Sequence, residues 1–216
     1  MRVAWQQTHR ALFIRWCSLL CFLVGGIAVG SCVFLSAEAH IYQHLESRHF
    51  DSPVRTVSPE KASACESISV DQGTAIGRLE ISRVGISVVV LEGDDAHTLR
   101  LGAGRVPGTA WPGHGGNVAI AAHRDTFFRG LRDVRKDDRI RLLTTANEYV
   151  YRVESTLIVN PTQVEVLDPT SQPTLTLITC YPFHYIGDAP DRFIVRALQI
   201  SSLRRSSTEC PGTRSR

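Results

Sequence analysis

The apolar and polar positions of this chain change pattern three times. Residues 16–37 form a run of 22 residues without a charge, WCSLLCFLVGGIAVGSCVFLSA. At about 1.5 Å per residue a helix of that length crosses a hydrocarbon core roughly 30 Å thick. Residues 38–50 keep a helix-compatible composition and extend that helix by a few turns. The periodicity then stops. Residues 51–75, with Pro53, Pro59 and several serines, read as a solvated stalk. From Ile76 onward the chain turns strand-like: 77–82 alternates Leu79 and Ile81 with polar residues, and 85–91 is a β-branched run. The segments 118–122, 139–145, 149–159, 174–180 and 193–200 supply further short strands. Between them, 94–101 reads as a short helix capped by Asp94 or Asp95, and 128–134 as a turn or a single helical turn. There is no internal repeat. The expected organisation is a leading segment (1–15), an apolar span (16–37), a juxtamembrane helix and stalk (38–75), one mainly β domain (76–200) and a flexible basic tail (201–216). Many short strands at regular spacing make that domain a barrel or a sandwich.

Charge orients the span. Arg2, Arg10 and Arg15 precede it while Glu38 and Glu46 follow, so the excess of arginine before the apolar run puts the start in the cytoplasm and the β domain outside. Two rival uses of the segment fit less well. Val29-Gly30-Ser31-Cys32 resembles a lipoprotein processing site, but the apolar run continues through Val33, Phe34 and Leu35. Small residues at 36–39 would suit a cleaved signal peptide, yet the stretch is long for a 7–15-residue apolar region. An uncleaved anchor is the expectation. The net charge of +3 over 216 residues is carried mainly at the two ends, and no basic face with aromatic platforms lies inside the β domain. Nucleic-acid binding is therefore excluded as an expected function.

Six cysteines do not make a disulfide framework here, because Cys17, Cys21 and Cys32 lie in the span, Cys65 in the stalk and Cys210 in the tail. Cys180 is the one sulfur of the β domain. It ends the alternating run Thr174-Leu175-Thr176-Leu177-Ile178-Thr179, where a sheet would hold its sulfur at the rim of a cleft. An ordinary thiol has a pKa near 8.5, so a nucleophilic cysteine needs an imidazole or a cation beside it. His123, after the apolar run 118–122, is the candidate imidazole. Arg192, twelve residues after the cysteine, is the candidate cation. The bland alternatives are that Arg192 pairs with Asp188 or Asp191 and that Cys180 packs as a small hydrophobe. His114, in Pro112-Gly113-His114-Gly115-Gly116, and His184 compete for the base role but sit in loops. Asp125 is a candidate for orienting a neighbour. His40, His44 and His49 are spaced for a helix face, and no cysteine or carboxylate completes a zinc site with them. No phosphate-binding glycine loop is present.

The surroundings of His123, Cys180 and Arg192 resemble the sortases, most closely class D. The resemblance is carried by Thr176, Leu177, Thr179 and Cys180; by 181–183 and 189–195; and upstream by 104–110 and 116–128, across about 125 residues from Ile76 to Ile200. It implies a closed eight-stranded β-barrel behind one N-terminal transmembrane helix. It implies that Cys180 attacks the carbonyl of threonine in a Leu-Pro-x-Thr-type sorting signal, and that His123 passes protons to and from the amines. Arg192 is then a fork that holds the substrate or the developing oxyanion. Thr179, Tyr181, Trp111, His114 and His184 are the candidate substrate-binding residues. The implied partners are surface proteins with a C-terminal sorting signal and an amine from peptidoglycan or a pilin. No cofactor is required; calcium activates part of that family, but Glu92, Asp94 and Asp95 are too generic a cluster to assign it. Rival readings are an endopeptidase that uses water as acceptor and a silent surface scaffold. L,D-transpeptidases lack a match because their Ser-x-Gly-Cys core is absent. Papain-like peptidases place cysteine before histidine, the reverse of the order here.

Overall fold

The computed structural model describes residues 2–49, 70–185 and 187–204. The chain divides into two compact units, Met1–Ile41 and Tyr42–Arg216. The described residues of the first lie within helix α1 (Arg2–His49). Residues Arg15–Leu45 of that helix are long and apolar enough to cross a membrane. Trp16 and Phe22 are largely exposed on it. Two of its serine hydroxyls bond back within the helix: Ser18 Oγ donates to Arg15 O and Ser31 Oγ to Ile27 O, each at 2.9 Å. Each returns a side-chain donor to a backbone carbonyl three or four residues before it. Most of the stalk, including Cys65, lies outside the described residues, as does Cys210.

The second unit holds eight strands in one closed barrel. They are β1 (Ala75–Ile81), β2 (Ile86–Glu92), β3 (Ala103–Arg105), β4 (Asn117–Ala121), β5 (Arg139–Leu143), β6 (Asn147–Val159), β7 (Thr174–Tyr181) and β8 (Asp191–Arg204). Their spatial order is β1-β2-β3-β4-β7-β8-β6-β5, with β5 pairing back onto β1. Closure removes every sheet edge along the paired length, which is how a small all-β domain avoids edge-to-edge aggregation. Alternation supplies the interior. Leu79, Val88, Val90, Val118, Ile120, Leu175, Leu177, Val195, Ala197 and Val153 point into one buried cluster, each at most 3% exposed. The sequence reading of a barrel or sandwich thus resolves to a barrel.

Local chemistry explains the connections. β1 and β2 are joined through a 3₁₀ turn (Ser82–Val84) that ends at Gly85 with φ 69°, a left-handed position that glycine takes without strain. Helix α2 (Ala96–Leu101) is capped by Asp95, whose carboxylate accepts from His97 N and Thr98 N. The segment after β4 makes a 3₁₀ turn at Arg129–Asp133 with Leu131 buried beneath it. Several strand boundaries shift by one or two residues from the sequence reading, and two differences are larger. β3 has only three residues, too few to show alternation. β8 runs on through Ser201–Arg204, residues assigned above to the tail, because Asn147–Val150 of β6 pair with them.

Candidate active site

The site is assembled by four adjacent strands. β4 pairs parallel with β7, β7 antiparallel with β8, and β8 antiparallel with β6. Because side chains alternate between faces, Val118, Ile120 and Ala122 enter the core while Asn117, Ala119, Ala121 and then His123 share the outer face. Register extends that face across the sheet in three rows. Thr176 pairs with both Ala119 and Arg196; Ile178 pairs with Ala121 and Ile194; Cys180 pairs with Arg192, which pairs with Val159. Ala122 N donates to Ile178 O at 3.1 Å, extending β4 toward the level of the cysteine.

His123, Thr179, Cys180 and Arg192 all line one cleft of about 410 Å³. Its floor is Ala121, Ile178 and Ile194, and one wall is Val164, Val166 and Leu167 from the connection between β6 and β7. His123 is exposed; Cys180 and Arg192 are half-buried. Neither the His123 ring nor the Cys180 sulfur makes a hydrogen bond among the described residues, so both are free for a reacting partner. Cys180 is a free thiol. Arg192 forms no ion pair with Asp188 or Asp191 among the described residues. Its Nη1 donates instead to Ala189 O (3.2 Å) and Asp191 O (3.0 Å). That fixes one arm of the fork and leaves Nε and Nη2 for another acceptor.

Two neighbours hold these groups in place. Thr179, 2% exposed, donates its hydroxyl to Ala122 O at 2.8 Å, tying the residue before the cysteine to the residue before the histidine. Phe128, fully buried, donates its N–H to His123 O at 3.0 Å and closes the turn after it. Arg124 reaches the opposite side: its Nη2 donates to Tyr185 O (2.7 Å) and Gly187 O (3.2 Å) in the β7–β8 connection. Asp125 is exposed and makes no side-chain bond among the described residues.

The remaining sequence candidates sit elsewhere. Trp111 lies under the guanidinium of Arg105, 4.1 Å from Cζ to the ring centroid. Arg105 in turn is buried in a bidentate pair with Glu92 at 2.6 Å on each arm. Glu92 and Asp95 are thus both engaged, one with Arg105 and one as a helix cap. Tyr181 stacks on Phe193 at 6.3 Å and meets Phe183 edge-on at 6.1 Å, an aromatic group that abuts the core. His114 N donates to Trp111 O in a turn whose Gly113 lies against the Tyr149 hydroxyl. His184 is exposed in the β7–β8 connection. Trp111, Tyr181, His114 and His184 are not among the residues lining the cleft. Sequence reasoning passed over Asn117, Arg124 and Arg105; a polar residue opening an apolar strand was the only signal for the first, and basic residues flanking motif positions for the others.

Comparison with known proteins matches this geometry. The family model described as Sortase domain matches residues 79–200. A curated relative, Sortase D of Bacillus subtilis (strain 168), is 32% identical over 145 residues, covering 67% of this chain and 73% of the relative. Sortase A of Bacillus anthracis is 27% identical over 195 residues, 82% of this chain and 90% of the relative. Among solved structures, a Sortase D5 transpeptidase from Clostridium perfringens superposes with TM-score 0.57 at 28% identity, covering 62% of this chain and 83% of that one. Sortase C-3 from Streptococcus pneumoniae gives TM-score 0.59 at 27% identity, over 81% and 88% respectively.

Proposed function

The chain belongs to the sortase family of cysteine transpeptidases, and from that premise we propose that it is a membrane-anchored sortase whose nucleophile is Cys180. The substrate is a surface protein carrying a Leu-Pro-x-Thr-type sorting signal. The sulfur adds to the threonine carbonyl as the thiolate, its proton held by His123, and the charge that develops on the carbonyl oxygen is met by the free Nε and Nη2 of Arg192. The C–N bond to the next residue then breaks as His123 gives a proton to the departing amine. A thioester to Cys180 remains. A second amine, from peptidoglycan or a pilin, adds to that thioester, loses a proton to His123 and expels the sulfur, restoring the enzyme. Each step as written draws on protein groups alone. The observation that carries the reading is that His123, Cys180 and Arg192 line one cleft from three neighbouring strands.

The apolar segment of α1 is the anchor, with the N-terminus cytoplasmic and the barrel outside. Its support is the helix Arg15–Leu45 and the arginines Arg2, Arg10 and Arg15 before the uncharged run.

The deciding experiment gives purified full-length protein a Leu-Pro-x-Thr peptide with and without an added amine. The expected result is a new amide between the threonine and the amine, abolished in a folded Cys180→Ala variant. A product carrying only water would make the protein an endopeptidase. No cleavage of any sorting signal would leave a scaffold.

A further inference from the structure

Six residues along β4 from His123, the same outer face carries a polar group that the chemistry does not use. Asn117 is 1% exposed and Thr176 fully buried. The Asn117 amide uses both donors and one acceptor: Nδ2 donates to Val166 O (2.9 Å) and Asp168 O (3.2 Å), and Oδ1 accepts from Thr176 Oγ (2.7 Å). The orientation is unambiguous, because two carbonyls can only accept and so require the NH₂ side. Arg196 on β8 adds a third donor, Nη2 to Val166 O at 3.3 Å. Side chains of two strands, β4 and β8, thus converge on the backbone of one short stretch, the 3₁₀ turn Val164–Leu167 and the residue after it, with Thr176 of β7 between them orienting Asn117. That stretch supplies Val164, Val166 and Leu167 to the wall of the cleft.

We infer that Asn117, oriented by Thr176 and assisted by Arg196, is a positioning residue that fixes the β6–β7 wall and so sets the affinity for the acyl donor, without taking part in the chemistry at Cys180. This rests on the function proposed above. The wall is apolar, faces the apolar floor of Ala121, Ile178 and Ile194, and has no strand ladder of its own to hold it. A wall held in its working position before the peptide arrives spares the ordering cost of binding. Two carbonyls stripped of their buried donor would instead seek water and carry the wall outward. The catalytic row would be untouched, since His123 and Cys180 are held by Phe128, Thr179 and the β4–β7 ladder.

The test uses full-length protein in detergent micelles and the variant Asn117→Asp, which keeps the volume and the acceptor for Thr176 but removes both donors. KM for the sorting-signal peptide should rise at least about tenfold while kcat falls no more than about threefold. Alkylation of Cys180 by iodoacetamide, too small to need the wall, should stay within twofold of wild type. Amide exchange of residues 163–168 should accelerate. If Asn117→Asp does not fold, Thr176→Val, which deletes only the orienting hydroxyl, carries the same test with the same direction and a smaller KM rise. An unchanged KM in a folded variant would overturn the inference, and so would equal losses in KM, kcat and alkylation rate. A wild-type protein that cleaves no sorting signal would defeat the proposed function alone; unaltered exchange at 163–168 would defeat this inference alone.

Discussion

Two rows of polar side chains lie on the same face of the same three strands and behave in opposite ways. Toward one end Asn117 and Thr176 spend their hydrogen bonds on each other and on the backbone of the β6–β7 connection, to which Arg196 adds one donor through Nη2 while its buried Nε has no partner among the described residues. At the other, past an apolar row of Ala121, Ile178 and Ile194, His123 and Cys180 have no side-chain bond among the described residues, and Arg192 keeps half its fork free. Buried polar groups are expected to be satisfied. Satisfied ones hold structure, and unsatisfied ones at the rim of a cleft are available to a substrate. Arginine occurs in both rows, so that residue type alone does not tell a structural position from a reactive one.

Substitutions in the reactive row should sharpen that contrast most. His123→Ala is expected to lower kcat by about 10²–10⁴ with little change in melting temperature, measured on peptide cleavage beside a thermal scan. His114→Ala and His184→Ala should have much smaller effects, because neither residue lines the cleft. A comparable loss at His114 would move the base to that loop and dissolve the row.

Arg192 comes next. Arg192→Lys should be nearly as damaging as Arg192→Ala, about 10²–10³ in kcat/KM, because one arm of the fork is already committed to Ala189 O and Asp191 O and only a planar guanidinium leaves two further donors in a fixed direction. Near-normal turnover by the lysine variant would reduce the role to simple charge.

Thr179 belongs to neither row and links both histidine and cysteine strands. Thr179→Val keeps the shape and leaves Ala122 O without its buried partner, a cost of about 1–3 kcal/mol. We expect a lower melting temperature together with a loss of about tenfold in kcat/KM. A stability loss with unaltered kinetics would show that the tie holds the barrel and not the geometry of the pair.

The smallest effect lies away from this face. The Arg83 guanidinium, bonded to Asp138, holds that carboxyl below its ordinary range, helped by the Arg135 N–H. A carboxylate with a depressed folded-state pKa stabilises the fold above its unfolded value and loses that contribution as pH falls through the folded one. Asp138→Asn should therefore flatten the acid limb of the stability profile below about pH 4, by a few degrees of melting temperature at most, and leave kcat unchanged. A change in the kinetic pH profile would contradict the separation of this pair from the site.

Much of this was legible in the chain because the relevant physics is local. Alternation and β-branched runs located seven strands, and of the two expected caps for α2, Asp94 or Asp95, it is Asp95 that caps it. β3 escaped because three residues, Ala103–Arg105, carry no periodicity. The polar ends of β8 were missed because Asp191, Arg192 and Ser201–Arg204 owe their strand state to the β6 and β7 ladders. The motif order brought His123, Cys180 and Arg192 forward together. The position of Trp111 did not follow, because its partner is a buried Arg105–Glu92 pair made across β2 and β3. Asn117 is illegible for the same reason: its partners are 49 and 51 residues away in sequence.

The central claim is that the reaction passes through a thioester on Cys180. Its most direct measurement is the intact mass of the full-length protein, quenched in acid during reaction with a Leu-Pro-x-Thr peptide and no acceptor amine. The account predicts a gain equal to the peptide fragment ending at threonine, located on Cys180 by fragmentation, removed by a nucleophilic amine and absent in Cys180→Ala. Turnover by a folded Cys180→Ala protein, or the fragment attached to any other residue, would contradict it.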